Sequence, residues 1–293
     1  MHSKSPQYGD AREREFSLPG ITLAAREWGR RGARPVLALH GWLDNAASFD
    51  VLAPLLADCH LIALDLPGQG LSQHKSPQGS YNLWDDLLDL MRVADQLGWT
   101  RFHLLGHSRG ALISLLLAAA LPERIVSVAL LEALWPEPVT IEETAAQLGR
   151  HLRDNLALGD KQPTRYAGPE EAVAVLQRAT GIAEPSAQRL VTRGLVQRDG
   201  RWYWRADPRL RTASALKLTR AHSEALVRAL QVPALLLLAE SGVGGRMNWR
   251  EALGQFSQLR WKLMPGSHHF HMEAQAPMLA AEINTFWQEN PHD

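Results

Sequence analysis

Near-continuous apolar runs fall in two blocks separated by a long stretch without them, and this spacing constrains the fold more than any other feature. In the first block, Ile21 to Trp28, Val36 to Leu39, Leu61 to Leu64, Phe102 to Leu105 and Val126 to Leu131 read as strands. Helical text lies between them, from about Ala46 to Leu56 and from Leu83 to Leu97, where Leu83, Leu87, Leu90, Met91, Ala94 and Leu97 share one face. Asn82 reads as the N-cap of that helix and Gly98 as its terminator. A further helix runs from Gly110 to Leu121. Apolar strands alternating with helices predict an α/β chain with a mostly parallel sheet covered on both faces. The second block returns at Pro233 to Leu238, then a weaker strand at Leu259 to Leu263 and helical text from about Gln275 to Gln288.

The stretch between the blocks has a different texture. Thr140 and Glu143 form a capping-box pattern ahead of Leu148, Leu152 and Leu156. Pro169 suits a first helical position, another short helix starts near Pro185, and Asp199-Gly200 suits a hairpin turn. This predicts a mostly helical insertion over 136–230, set into a core of 1–135 and 231–293. Charge supports the division. The 293 residues carry 31 Lys+Arg and 31 Asp+Glu, yet residues 136 to 232 hold 15 basic and 11 acidic ones. The insertion is therefore +4 and the remainder −4.

Zero net charge argues against nucleic acid as the main partner. With 45% hydrophobic residues the chain can bury a core. The single cysteine, Cys59, excludes an intramolecular disulfide and reads as a buried, inert thiol. No apolar run approaches the length of a membrane span, and the first sixteen residues lack the apolar core of a signal peptide. The expectation is a cytoplasmic protein, and a homodimer is compatible with it.

Chemistry concentrates in a few places. Gly106-His107-Ser108-Arg109-Gly110 is G-x-S-x-G between a strand and a helix, where a tight turn exposes a serine hydroxyl and the flanking glycines let strand and helix approach. His40-Gly41-Trp42 follows the strand ending at Leu39. In such an architecture that loop and the residue after the nucleophile supply oxyanion-binding N–H groups, which assigns Trp42 and Arg109. His40 reads as ordering its turn, and Asp65 to Ser72 as a structural turn, since it has no Lys-Ser/Thr for phosphate. Three histidines cluster at His268, His269 and His271. Their spacing departs from the i, i+4 pattern of zinc ligands on a helix, so a catalytic base is the better reading.

These pieces together resemble the α/β-hydrolase superfamily. Residues 40–49 (HGWLDNAASF), 65–72 (DLPGQGLS) and 106–110 (GHSRG) look most like the serine hydrolase-like proteins. The resemblance spans about Ile21 to Pro136 and Pro233 to Phe286 and implies an α/β-hydrolase fold with a helical lid at the insertion. It implies Ser108 as nucleophile and His268 as base, through the pattern Gly266, His268, His271, Glu273. The acid departs from the commonest pattern: the loop after Leu238 has Glu240 and no Asp. Some relatives carry a Glu at the end of the strand corresponding to Val126 to Leu131, which points to Glu132, with Glu240 the alternative. A Glu directly after an apolar strand needs a partner such as an imidazole N–H. The implied activity is carboxylesterase-like hydrolysis of a small-molecule acyl substrate, without cofactor or metal. The alternative is a slow or non-catalytic small-molecule receptor on the same fold. Trp42 and Trp135 flank the catalytic positions and are expected to line the substrate pocket. Trp202 and Trp204 fit either an acyl site or the core of the insertion, and Arg109 fits either an acidic substrate group or an internal salt bridge.

Overall fold

Strand residues of the two apolar blocks alternate between two cores. Leu37, Leu39, Ile62, Leu64, Leu236 and Leu238 face one; Val36, Ala38, Leu61, Ala63, Leu235 and Leu237 face the other. A two-residue period with both faces apolar is what a sheet buried on both sides requires. The computed structural model describes residues 11–136, 138–160, 163–246 and 258–292, together with 251, 253, 254 and 256.

An eight-stranded sheet runs through the middle. Its strands are β1 (Arg12–Leu18), β2 (Ile21–Gly29), β3 (Arg34–Leu39), β4 (Cys59–Leu64), β5 (Phe102–His107), β6 (Ile125–Leu131), β9 (Ala234–Ala239) and β10 (Leu259–Met264). Their spatial order is β1-β2-β4-β3-β5-β6-β9-β10. β1 and β2 pair antiparallel at one edge, and β2 meets β4 antiparallel. All pairs from β4 to β10 are parallel. The first core takes α1 (Leu87–Gln96), α2 (Arg109–Ala120) and Val227 of α6 (Arg220–Arg228). The second takes α7 (Ala276–Glu289) and the segment Ala46–Leu56.

Between β6 and β9 lie α3 (Thr144–Leu156), α4 (Pro169–Thr180), α5 (Glu184–Gly194), the hairpin β7 (Leu195–Arg198) and β8 (Arg201–Trp204), and α6. Asp199 and Gly200 both have positive φ, as the two-residue turn demands. This segment has its own small core of Tyr166, Ala172, Val173, Ile182, Ala187, Leu190, Val191 and Leu195, joined by Met272. Trp202 and Trp204 pack against it, and the Trp204 indole N–H donates to the Tyr166 hydroxyl at 3.1 Å.

Four local features differ from the sequence reading or go beyond it. Ala46 to Leu56 forms two short 3₁₀ turns, Ala46–Phe49 and Ala53–Leu55, because Pro54 removes a helical N–H and Asn45 caps only the first turn. β1 pairs along its whole length with β2 although Arg-Glu-Arg-Glu carries no apolar signal. α6 has no counterpart in the sequence reading. Leu148, Leu152 and Leu156 of α3 are 44%, 54% and 82% exposed.

Candidate active site

The carboxyl ends of β3, β5, β6, β9 and β10 bring the candidate residues together. Ser108 sits between β5 and α2 with φ 50° and ψ −115°, a strained conformation held by its surroundings. Its N–H donates to the Leu131 carbonyl at 2.8 Å. A Cβ on Gly106 would lie 2.4 Å from the Gly110 carbonyl oxygen, and one on Gly110 would lie 2.0 Å from that of Leu39. Backbone cannot yield as a side-chain tip can, so both positions exclude any larger residue.

Glu132 follows β6, is fully buried and has φ 62°. Its Oε2 accepts from the His268 Nδ1–H at 2.9 Å and from the Val243 N–H at 2.7 Å; Oε1 accepts from the Ala239 N–H. Three donors thus satisfy a carboxylate that burial alone would penalise. A Cβ on Gly242 would lie 2.0 Å from Glu132 Oε2, so this loop closes over the carboxylate only with glycine there. Glu240, the alternative acid, is exposed, and its N–H donates to the Met264 carbonyl. His268 is paired with Glu132 and not with Glu240.

His268 is half-buried on the loop after β10, which leaves the strand at Gly266 with φ 127°. The neighbouring histidines form its bed. The His107 Nε2–H donates to the His268 carbonyl at 2.9 Å, tying the serine turn to the base loop. His107 and His271 rings lie 4.0 Å apart, and both are fully buried. Burial, reinforced by neighbouring imidazoles, pushes His107 well below the usual imidazole range and His271 down to about 3. His269 behaves oppositely: burial would lower it, but Asp44 at 3.6 Å prevails and raises it. Among the described residues no group of three or more His, Cys, Asp or Glu side chains is arranged to hold a metal ion.

Several other residues hold the frame. His40 donates from Nδ1 to the Gly41 carbonyl at 2.7 Å and accepts the Leu66 N–H at 2.9 Å, ordering its turn. Asp65 accepts from the Ala46 and Leu71 N–H groups, and Arg193 of α5 donates to both of its oxygens. The 65–72 segment is thus a structural turn. Cys59 is buried at the start of β4, its thiol pushed up to about 12 by burial.

Ser108 opens onto a cavity of about 280 Å³ lined largely by apolar side chains, among them Trp42, Trp84, Leu112 and Leu218. Trp42 is half exposed and donates its indole N–H to the Leu210 carbonyl at 2.9 Å. Trp135, expected on this wall, lies outside the lining; Pro136 takes its place. The Trp135 ring is covered instead by the Arg220 guanidinium at 3.9 Å and sits beside Phe256. Arg109 also lines the cavity, but its Nη2 donates to the Tyr81 carbonyl at 2.8 Å and the Asn82 carbonyl at 3.3 Å, 3.8 Å from Asp86. Its side chain is an internal tie. The backbone N–H groups of Trp42 and Arg109 have no acceptor among the described residues.

Comparison with known proteins agrees with this architecture. The family model of the alpha/beta hydrolase fold matches residues 34–273. A serine hydrolase-like protein of Dictyostelium discoideum is 32% identical over 87% of this chain and 75% of its own. The crystal structure of a hypothetical protein from Pseudomonas aeruginosa PAO1 is 43% identical, with TM-score 0.91, over 94% of this chain and 99% of that one. A thioesterase domain from the curacin biosynthetic pathway is 25% identical, with TM-score 0.83, over 94% and 100%. The chain belongs to the α/β-hydrolase fold family, and within it to the serine hydrolase-like proteins.

Proposed function

We propose that this protein is a serine hydrolase of the carboxylesterase type, cleaving an ester or related acyl bond through an acyl-enzyme on Ser108. The observation that carries the reading is the buried Glu132 carboxylate hydrogen-bonded to His268, on a loop that His107 ties to the strained serine turn. Ser108 Oγ attacks the acyl carbonyl, and His268 Nε2 takes its proton. Glu132 holds the Nδ1–H tautomer and stabilises the imidazolium that forms. The N–H groups of Trp42 and Arg109 are free to stabilise the tetrahedral oxyanion. His268 returns its proton to the leaving group, and water activated by the same imidazole clears the acyl-enzyme.

Residues 136–230 act in this reading as a cap over a core of 1–135 and 231–293. The Trp42 tie to Leu210 and the contribution of Ser214, Leu216, Lys217 and Leu218 to the cavity wall support it. Among the described residues no helix is long and apolar enough to cross a membrane. A small-molecule acyl substrate and a cytoplasmic setting go with the reading, and one buried thiol suits a reducing compartment.

The test is rapid mixing with an activated ester such as p-nitrophenyl acetate. The wild type releases a burst of p-nitrophenolate near one equivalent per chain, and Ser108→Ala removes it. A burst that persists in Ser108→Ala rules out Ser108 as nucleophile.

A further inference from the structure

The walls of the Ser108 cavity carry a charge pattern that bears on what enters it. Among the described lining residues none is a carboxylate, and the only charged ones are Arg109 and Lys217. Arg109 is committed to the Tyr81 and Asn82 carbonyls. Lys217 makes no ion pair with any described residue. The exposed Glu143 senses its charge from beyond ion-pair range.

The wall that bears Lys217 is fixed on both sides of it. The Ala213 N–H donates to Asp154 at 2.9 Å, and the Ser214 carbonyl accepts from the Gln147 side chain at 2.5 Å. Beyond Lys217, the Leu218 carbonyl accepts the Val139 N–H at 3.4 Å. Lys217, without an ion-pair partner among the described residues, therefore lines a mostly apolar cavity that also contains the reactive serine. Leu216 and Leu218 flank Lys217 on the same wall.

We infer that the preferred substrate is an acyl compound bearing a carboxylate remote from the bond that is cleaved, and that Lys217 is the specificity-determining residue that reads it. The inference rests on the hydrolase reading above. An anion opposite Lys217 gains a cationic partner and meets no carboxylate among the described lining residues. Lys217 itself is exposed, which limits the gain to that of a solvent-screened pair. The cavity's 280 Å³ lies at the small end of ligand pockets, so a short chain brings its far end to the rim.

The experiment compares two p-nitrophenyl esters of matched shape, the monoester of adipic acid and the ester of 6-methylheptanoic acid. In the latter an isopropyl group replaces the carboxylate. The readout is the ratio of kcat/KM for the anionic ester to that for the neutral one. In the wild type at low salt the ratio exceeds that of Lys217→Ala by roughly two- to fivefold. Lys217→Arg keeps the preference, Lys217→Glu inverts it, and added salt weakens it. A wild-type ratio that neither Lys217→Ala nor Lys217→Glu changes, while turnover still requires Ser108, overturns the inference and leaves the hydrolase reading standing. Turnover of both esters that survives Ser108→Ala overturns the hydrolase reading itself.

Discussion

At the residue scale the most telling group is Glu132. Its carboxylate accepts two backbone N–H groups and an imidazole N–H, which fixes it in place beside that imidazole. Glu132→Gln keeps the shape but presents an amide N–H₂ where donors already point, and it removes the charge that stabilises the imidazolium. Turnover of an activated ester should fall by about 10⁴-fold, the scale of converting a triad carboxylate to an amide. Glu240→Gln, on an exposed side chain, should leave kcat/KM within a few-fold of wild type. The opposite pattern in steady-state kinetics would move the acid to Glu240. The pair was legible before the structure through the resemblance to relatives with a Glu at this strand end, supported by the need of an ionisable residue directly after an apolar strand for a partner. What the Arg109 side chain does was not legible, since its acceptors are backbone carbonyls of Tyr81 and Asn82, which any side chains there would offer. The histidine bed was also hidden. The sequence shows His107 and His271 but gives no sign that their rings lie 4.0 Å apart.

At the element scale, periodicity made β2 to β6, β9 and most helices readable, because a strand buried on both faces must be largely apolar. β10 was readable only as a weaker strand, since Arg260 and Lys262 interrupt it at the edge. β1 escaped since its first four residues alternate Arg and Glu, and only Phe16 and Leu18 reach the core. The leucine stripe of α3 has helical spacing and forms a helix, but remains exposed. The attachment of the insertion to the core turns on α5. Arg193, almost fully buried, donates to both oxygens of the buried Asp65 and both of Glu13. Arg193→Ala leaves Asp65 without its cation, and breaking a buried pair from one side costs about 3–5 kcal/mol. Urea unfolding should show that loss. A change below about 1 kcal/mol would mean the pair is screened like a surface bridge.

At the scale of the whole molecule, buried histidines set how stability responds to acid. An unfolded imidazole takes its proton near the ordinary value of about 6.5. In the folded chain burial holds His103 and His271 to about 3. Between those limits the unfolded state binds more protons, so stability falls as pH falls, by about 1.4 kcal/mol per pH unit for each group well inside the window. His269 acts the other way. Its folded pKa is raised, so its contribution is present below the ordinary imidazole value and is lost as pH rises through the folded one. One group opposes several, and the acid side dominates. Neither ring nitrogen of His271 has a hydrogen-bond partner among the described residues, so His271→Leu should flatten the stability difference between pH 5 and pH 7 by about one proton's worth. Equal slopes in urea titrations of the two proteins would contradict this.

The central claim is that the fold activates Ser108 through His268 and Glu132. Mass spectrometry after treatment with a fluorophosphonate tests it most directly, because the probe reacts with an activated serine and needs no knowledge of the natural substrate. The account predicts one phosphonyl group per chain, mapped to Ser108, with labelling slowed at least about 10²-fold in Glu132→Gln and in His268→Ala. A wild-type protein that remains unlabelled, or one labelled equally fast without His268, would contradict it.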